Sequence, residues 1–478
     1  MGFNVKETLL NSIWFGVIPK IGTVLSILML PVITPFLTAN DYGIWGIITS
    51  YTGIVLAISS LGLHVHLTNS YYEYGNHYKI VWRRLFFLIT VSTIICSVVV
   101  VIILIATLKE IPLNKRILVS LLSAFQILLY PNILIANHIY TLKSNPSPLV
   151  LRNLFASICG ILILFVSVYY LRLGFLGFVL NSAVTAIIGF ILFIKPLWIK
   201  EHIIPTVEIN KKRIKNWFKI AAPVIPHALG FTLLTSSSRI IMSLYGIPLK
   251  DIGIYSNGYT VGDYLTIITT ALTASLVPLM QTQYRSGNFK GYRNLYYFSQ
   301  SIALTGIILF SIWMPQIYNL LVRNIELNVA HSVASYTCFA NAILPLYIFM
   351  SGVTFIDKKT TQILWLVFVP SILNIILNII LLPILGYKGA IISAVISYWS
   401  QALIPFFSQY HKNKTKMWLG NRLKLVGLLV ILATSLFLSN IISVESILIK
   451  LISSSLLMIM FSFFLLKIVP RLKESIIN

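Results

Sequence analysis

Acidic residues are scarce in this chain: 12 Asp and Glu among 478 residues, against 36 Lys and Arg. Charged residues of both signs make up only 10%, where soluble domains carry about 25%, and 57% of the chain is hydrophobic. A mean hydropathy of +0.88 completes a composition that excludes a soluble enzyme. The three cysteines, Cys96, Cys159 and Cys338, stand singly inside apolar runs and offer no spacing for a disulfide or a zinc site. They read as small packing residues. No two acidic residues lie closer than Glu201 and Glu208, so there is no Asp-x-Asp pair for a metal-dependent sugar transferase. No G-x-x-x-x-G-K-[ST] loop is present to hydrolyse ATP, and no G-x-S-x-G elbow to carry a nucleophile. His64 and His66 are two apart, a spacing that a helix splays, so no metal site is expected. Catalytic residues and cofactors are expected to be none.

The sequence is rich in long apolar runs. A bilayer core about 30 Å thick takes a helix of about 20 residues. Fourteen segments qualify, six between Ser12 and Ile194 and eight between Ile220 and Leu466. Residues 1 to 11 carry Lys6 and lead into the first run without a cleavage pattern, so this helix is expected to be retained. Connections of roughly 25 residues at most leave no room for an extramembrane domain. The fold predicted is all-α and polytopic. Sorting Lys and Arg into alternate loops places 26 on the side of the N-terminus, 8 on the other and 2 within spans, which predicts that both termini are cytoplasmic. The net charge of +24 is thereby accounted for by topology and by attraction to anionic lipid headgroups, without nucleic acid.

Two short patterns recur. Asp41-Tyr42-Gly43-Ile44-Trp45 returns 210 residues later as Asp251-Ile252-Gly253-Ile254-Tyr255. Leu173-Gly174-Phe175-Leu176-Gly177 returns after 212 as Leu385-Gly386-Tyr387-Lys388-Gly389. Such spacing predicts two six-helix lobes, residues 1–210 and 211–411, related by pseudosymmetry around a central cleft, with residues 412–478 an added helix pair. A duplicated frame around a cleft argues for transport.

Charges inside spans are costly and mark candidate sites. Lys20 lies eight residues into the first span, and Arg239 and Asp263 lie six and nine residues from the far ends of the seventh and eighth. At 1.5 Å per residue these are depths of about 12, 9 and 13 Å. Arg239 and Asp263 could form an ion pair across neighbouring helices, and Lys20 could snorkel. At an offset of 210, Lys20 and Asp263 correspond to Gly230 and Gly53, so these charges break the repeat. Weaker polar stripes are Ser393, Ser397 and Gln401 on the twelfth span and Asn374 and Asn378 on the eleventh. They suit either a cleft lining or interhelical hydrogen bonds. Gly258 and Gly262 form a GxxxG step that reads as close helix packing, and His227, beside Pro223 and Pro226, marks a bend.

The run from Leu30-Pro31 through Thr38-Ala39-Asn40-Asp41-Tyr42-Gly43, with Ser60-Leu61-Gly62-Leu63 and the matching marks around Asp251 and Leu381 to Ala390, resembles the polysaccharide biosynthesis protein family. That family includes the O-antigen flippases. The resemblance implies the multidrug/oligosaccharidyl-lipid/polysaccharide exporter fold and a bacterial inner-membrane flippase. Its implied cargo is an undecaprenyl-diphosphate-linked oligosaccharide, with membrane lipids, a glycan polymerase, a chain-length regulator and a coupling proton or sodium ion as partners. Lys20 and Arg239 are then candidate contacts for the diphosphate or an acidic sugar, and Asp263 a coupling or positioning group. A drug or cation antiporter of the same fold, and a polymerase or ligase of lipid-linked glycans, are the alternatives.

Overall fold

A computed structural model describes residues 18–207, 211–222 and 224–477, and among these the regular structure is helical. Lys6 and the start of the first span lie outside the described residues. Eleven helices are long and apolar enough to cross a membrane, and a twelfth is counted if Lys212–Ala221 and Val224–Leu244, which meet at 44°, form one span. The first and eighth of the fourteen expected spans correspond to the short apolar stretch Ile21–Phe36 and to a helix broken between Leu249–Asp263 and Thr266–Arg285. His227 sits in the first turn after the 44° bend, where the sequence placed one.

The chain divides into two compact units, Met1–Gly253 and Ile254–Asn478. Within the first unit Val224–Leu244 packs along Ala39–Ser59. In that unit Leu67, Trp82, Leu85, Ile135 and Phe193 belong to a buried core, and the Trp82 indole donates to the Leu67 carbonyl (3.0 Å) and to Ser70 Oγ (3.1 Å). Burying the indole N–H without partners would cost about 1–3 kcal/mol.

The recurring patterns have physical counterparts in the first unit. Thr38 and Asp41 form a reciprocal cap on Ala39–Ser59: Asp41 N–H donates to Thr38 Oγ1 (3.2 Å), and Thr38 N–H donates to Asp41 Oδ2 (2.8 Å). The other oxygen, Oδ1, accepts from the backbone N–H of Phe175 (2.9 Å). Both sequence patterns therefore meet at Asp41. Gly174 has φ +58°, and a Cβ there would lie 2.5 Å from Asp41 Oδ1, so glycine is required on both counts. A second contact explains Gly43 and Gly253. A Cβ on Gly253 would collide with the Ala39 carbonyl, and a Cβ on Gly43 would collide with the Leu249 carbonyl. Ala39 and Leu249, like Gly43 and Gly253, are 210 residues apart. The crossing is reciprocal, each glycine lying against the carbonyl that the other's repeat supplies.

In the second unit the GxxxG step packs closely, as its sequence suggested: Cβ atoms on Gly258 and Gly262 would lie 2.5 Å from the carbonyls of Ala330 and Ala334. Leu423–Val444 and Ile447–Pro470 expose apolar side chains such as Phe437, Val444, Leu448 and Met460, the surface that lipid covers.

Ion pairs tie loop ends within each unit. Glu201 accepts from Lys143 (2.5 Å) and Lys79 (3.1 Å). Asp357 accepts from Lys414 (2.6 Å), Tyr410 (2.9 Å) and Tyr284 (3.2 Å). Asp357 follows Lys143 by 214 residues and Lys414 follows Glu201 by 213, so the repeat keeps the bridge and exchanges its charges.

Candidate functional site

Polar side chains in the middle of apolar helices need a protein partner or water, since hydrocarbon supplies neither. In the first unit they converge. Ile21–Ile33, Ala39–Ser59, Leu113–Leu128 with Tyr130–Leu142, Pro146–Phe165 and Leu176–Ile194 line an open cavity of about 580 Å³. An adjoining hollow of about 330 Å³ shares Gly22, Asn153 and Ser157 with it and adds Asn137. Gln126, Asn153 and Asn181 bring carboxamides to the larger cavity, Ser157, Ser182 and Thr185 bring hydroxyls, and Tyr130 brings a phenol. Among the described residues no charged side chain lines it.

Helix packing sets this lining. A Cβ on Gly160 would clash with Thr185 Oγ1 and Asn181 Oδ1 and lie 3.1 Å from the Asn181 carbonyl. Glycine thus lets Pro146–Phe165 and Leu176–Ile194 approach until those two side chains rest on its backbone. Asn153, Ser157, Asn181 and Thr185 stand roughly 7 to 17 Å from the start of their helices at 1.5 Å per residue. Their hydroxyl protons are used locally: Ser157 donates to the Asn153 carbonyl (2.9 Å) and Ser182 to the Val179 carbonyl (2.8 Å), while Thr185 donates to Asn181 Oδ1 (3.4 Å). No hydrogen bond joins the side chains of Gln126, Tyr130 or Asn153 to other described residues.

The residues singled out from sequence fall into three places. Lys20 is half-buried at the end of the turn Ile18–Lys20, one turn before Thr23 on the cavity wall, and does not itself line the cavity. Arg239 is 8% exposed in Val224–Leu244, next to buried Ser236, Ser237 and Ser238, and donates to the Thr235 carbonyl (3.4 Å). Asp263 ends its helix in the second unit, where Oδ1 accepts from Asn341 Nδ2 (3.1 Å). Asn374, Asn378, Ser393, Ser397 and Gln401 are all buried in the second unit. The Asn378 amide donates to Asn374 Oδ1 (2.9 Å), and Ser393 donates to its own helix at the Gly389 carbonyl (2.8 Å).

Reading the residues one helix at a time missed the cavity. The 212-residue offset could have found it, because Ser393, Ser397 and Gln401 translate to Asn181, Thr185 and Gly189, all of which line it. The histidines serve other ends: His66 Nε2 lies 2.8 Å from the Trp217 carbonyl, and His64 Nδ1 lies 3.3 Å from Ser60 Oγ.

Comparison with known proteins places this geometry. A family profile described as polysaccharide biosynthesis protein matches residues 9–283. No curated protein sequence matches the chain. The chain is similar in structure to the lipid II flippase MurJ in an inward closed conformation, at 13% identity over 96% of this chain and 100% of that one, with a TM-score of 0.72. It is also similar to an inward-facing multidrug resistance MATE family transporter of the MOP superfamily, at 13% identity over 88% and 98%, with a TM-score of 0.66. The outward-facing form of a MATE family transporter gives 12% identity over 88% and 96% and a TM-score of 0.54. At these identities the likeness is one of fold, and it covers nearly the whole chain.

Proposed function

Because the chain belongs to the polysaccharide biosynthesis protein family, we propose that it is a flippase, carrying a lipid-linked oligosaccharide between membrane leaflets by alternating access. The observation that carries this reading is the uncharged cavity of carboxamides and hydroxyls at mid-helix depth in an otherwise apolar protein. Polar surface of that kind is expensive to keep inside a bilayer and suits a polar cargo. One of the proteins it resembles in fold is itself a lipid II flippase.

The cargo in this reading is an undecaprenyl-diphosphate-linked repeat unit moved outward across a bacterial inner membrane, with both termini on the cytoplasmic side, the side that the excess of loop charge favours. A diphosphate must be desolvated to cross, and a cation lowers that cost. Lys20 and Arg239 are the proposed anion contacts, and Asp263, held by Asn341, the proposed coupling or positioning carboxylate. A glycan polymerase and a chain-length regulator would act on the product. Cation exchange is less well supported, since it calls for carboxylates and the described residues of the lining include none.

The test is the leaflet distribution of the lipid-linked unit in cells with and without the protein, and with Lys20→Ala and Arg239→Ala at normal expression. Cytoplasmic-leaflet accumulation in all three deficient strains is the expected result. Normal appearance of the unit in the periplasmic leaflet without the protein, in a strain with no second flippase, would refute the reading.

A further inference from the structure

We propose that the cavity of the first unit binds the uncharged sugar portion of the cargo, separately from the groups that meet its diphosphate. This deepens the flippase reading and rests on it. The lining chooses the ligand class. Carboxamides and hydroxyls both donate and accept, as sugar hydroxyls do, so each can pair with a ligand group whichever way that group points. A cationic or anionic ligand would find no counter-charge among Gln126, Asn153, Asn181, Ser157 and Thr185, at a depth where an unpaired charge is costly. The volume, about 580 Å³, falls within the roughly 300–1000 Å³ of small-molecule sites.

The repeat shows that folding does not require this hollow. On the twelfth span the counterparts of Asn181 and Thr185, Ser393 and Ser397, are both 0% exposed. One frame therefore accommodates this stripe packed shut and the same stripe open. The open copy also leaves the side-chain polar groups of Gln126, Tyr130 and Asn153 without hydrogen bonds to other described residues. These amides face the cavity with both donor and acceptor capacity, which suits hydroxyl partners.

The experiment measures equilibrium binding of radiolabelled geranyl diphosphate to the full chain in lipid nanodiscs. The compound is used bare or carrying a neutral hexose, N-acetylhexosamine, 6-deoxyhexose or a glucuronate. At least one neutral sugar should tighten binding about tenfold over the bare compound, and the glucuronate should not. Asn153→Leu combined with Asn181→Leu should abolish that gain while leaving affinity for bare geranyl diphosphate unchanged, which also shows that the variant is folded. Ala186→Leu, which narrows the cavity beside Asn181 and Thr185 and keeps every amide, should weaken that gain. Binding of the bare compound with no gain from any neutral sugar, a gain that these substitutions leave undiminished, or an equal gain from glucuronate overturns the sugar site alone. Failure to bind any of the compounds overturns the flippase reading and the sugar site together.

Discussion

The reciprocal glycine crossing makes a quantitative demand on stability. With a Cβ added at residue 253, the Ala39 carbonyl carbon would lie at 2.7 Å and the Gly43 nitrogen at 3.0 Å. With one added at residue 43, the Leu249 carbonyl carbon would lie at 3.0 Å and the Gly253 nitrogen at 3.3 Å. Ordinary carbon contacts need about 3.5–4.0 Å and the two carbonyl oxygens lie nearer still, so the backbones must part by considerably more than about 1 Å for Gly253→Ala and by about 1 Å for Gly43→Ala. Overpacking of this kind costs about 1–3 kcal/mol, and backbone atoms leave no flexible side chain to yield. Gly253→Ala should be the more damaging of the pair. Both methyls demand the same separation, so the double variant should cost nearly what Gly253→Ala alone costs, a coupling of about 1 kcal/mol or more. Melting of the four proteins, followed by fluorescence-detected gel filtration in one detergent, reads this out. The double variant should melt with Gly253→Ala. Additive losses, or single variants that melt like the parent, would refute the crossing.

Three further outcomes follow from the same geometry. Asp41→Asn leaves one carboxamide oxygen where two carboxylate oxygens serve Thr38 and Phe175, and turns an NH₂ group toward an N–H. It should cost about 1–3 kcal/mol and lower the melting temperature more than Asp41→Glu does. Burial raises the Glu201 and Asp357 carboxyls, but the hydrogen bonds and charges of Lys143 and Lys79, and of Lys414 with Tyr410, outweigh it and hold both below their usual range. A depressed folded value means that the stabilisation is present above the unfolded pKa and is lost as pH falls through the folded one. Melting temperature should therefore be flat above about pH 5 and drop below about pH 4, with a shallower drop in Asp357→Asn. Exchanging the partners in Asp357→Lys with Lys414→Asp should restore most of the stability that either single change removes, because the first unit already uses that polarity at Lys143 and Glu201.

Hydropathy and loop charge made the helical membrane fold legible, because length and apolarity are local properties of the chain. The packing of Val224–Leu244 against Ala39–Ser59 was not legible, because it is a contact between segments about 185 residues apart. The candidate site was half legible for a related reason. Lys20, Arg239 and Asp263 stand out as charges in apolar runs, whereas Gln126, Asn153 and Asn181 are common residues whose meaning lies in their convergence. The glycines show the same limit. Gly43 and Gly253 were visible as a repeated letter, but only the fold puts each against the carbonyl that the other's repeat provides.

Duplication offers a way to separate folding from function, because both copies of a repeat meet the same packing problem while only one need meet the ligand. The crossing of Gly43 and Gly253 is found on both copies, and the Lys143–Glu201 bridge returns at Asp357 and Lys414 with its charges exchanged. That exchange matters, since a loop tie needs opposite charges and is indifferent to their order, whereas a ligand is not. Those features belong to the frame. Lys20 and Asp263 occur once, opposite Gly230 and Gly53, and the Asn181 stripe is open in one copy and shut in the other. A frame that tolerates a closed stripe, even with Ser397 Oγ and Gln401 Oε1 buried without hydrogen-bond partners among the described residues, does not need an open one to fold. The open copy is therefore where selection by a polar ligand has its simplest mark, and the sugar-binding experiment bears on that asymmetry directly.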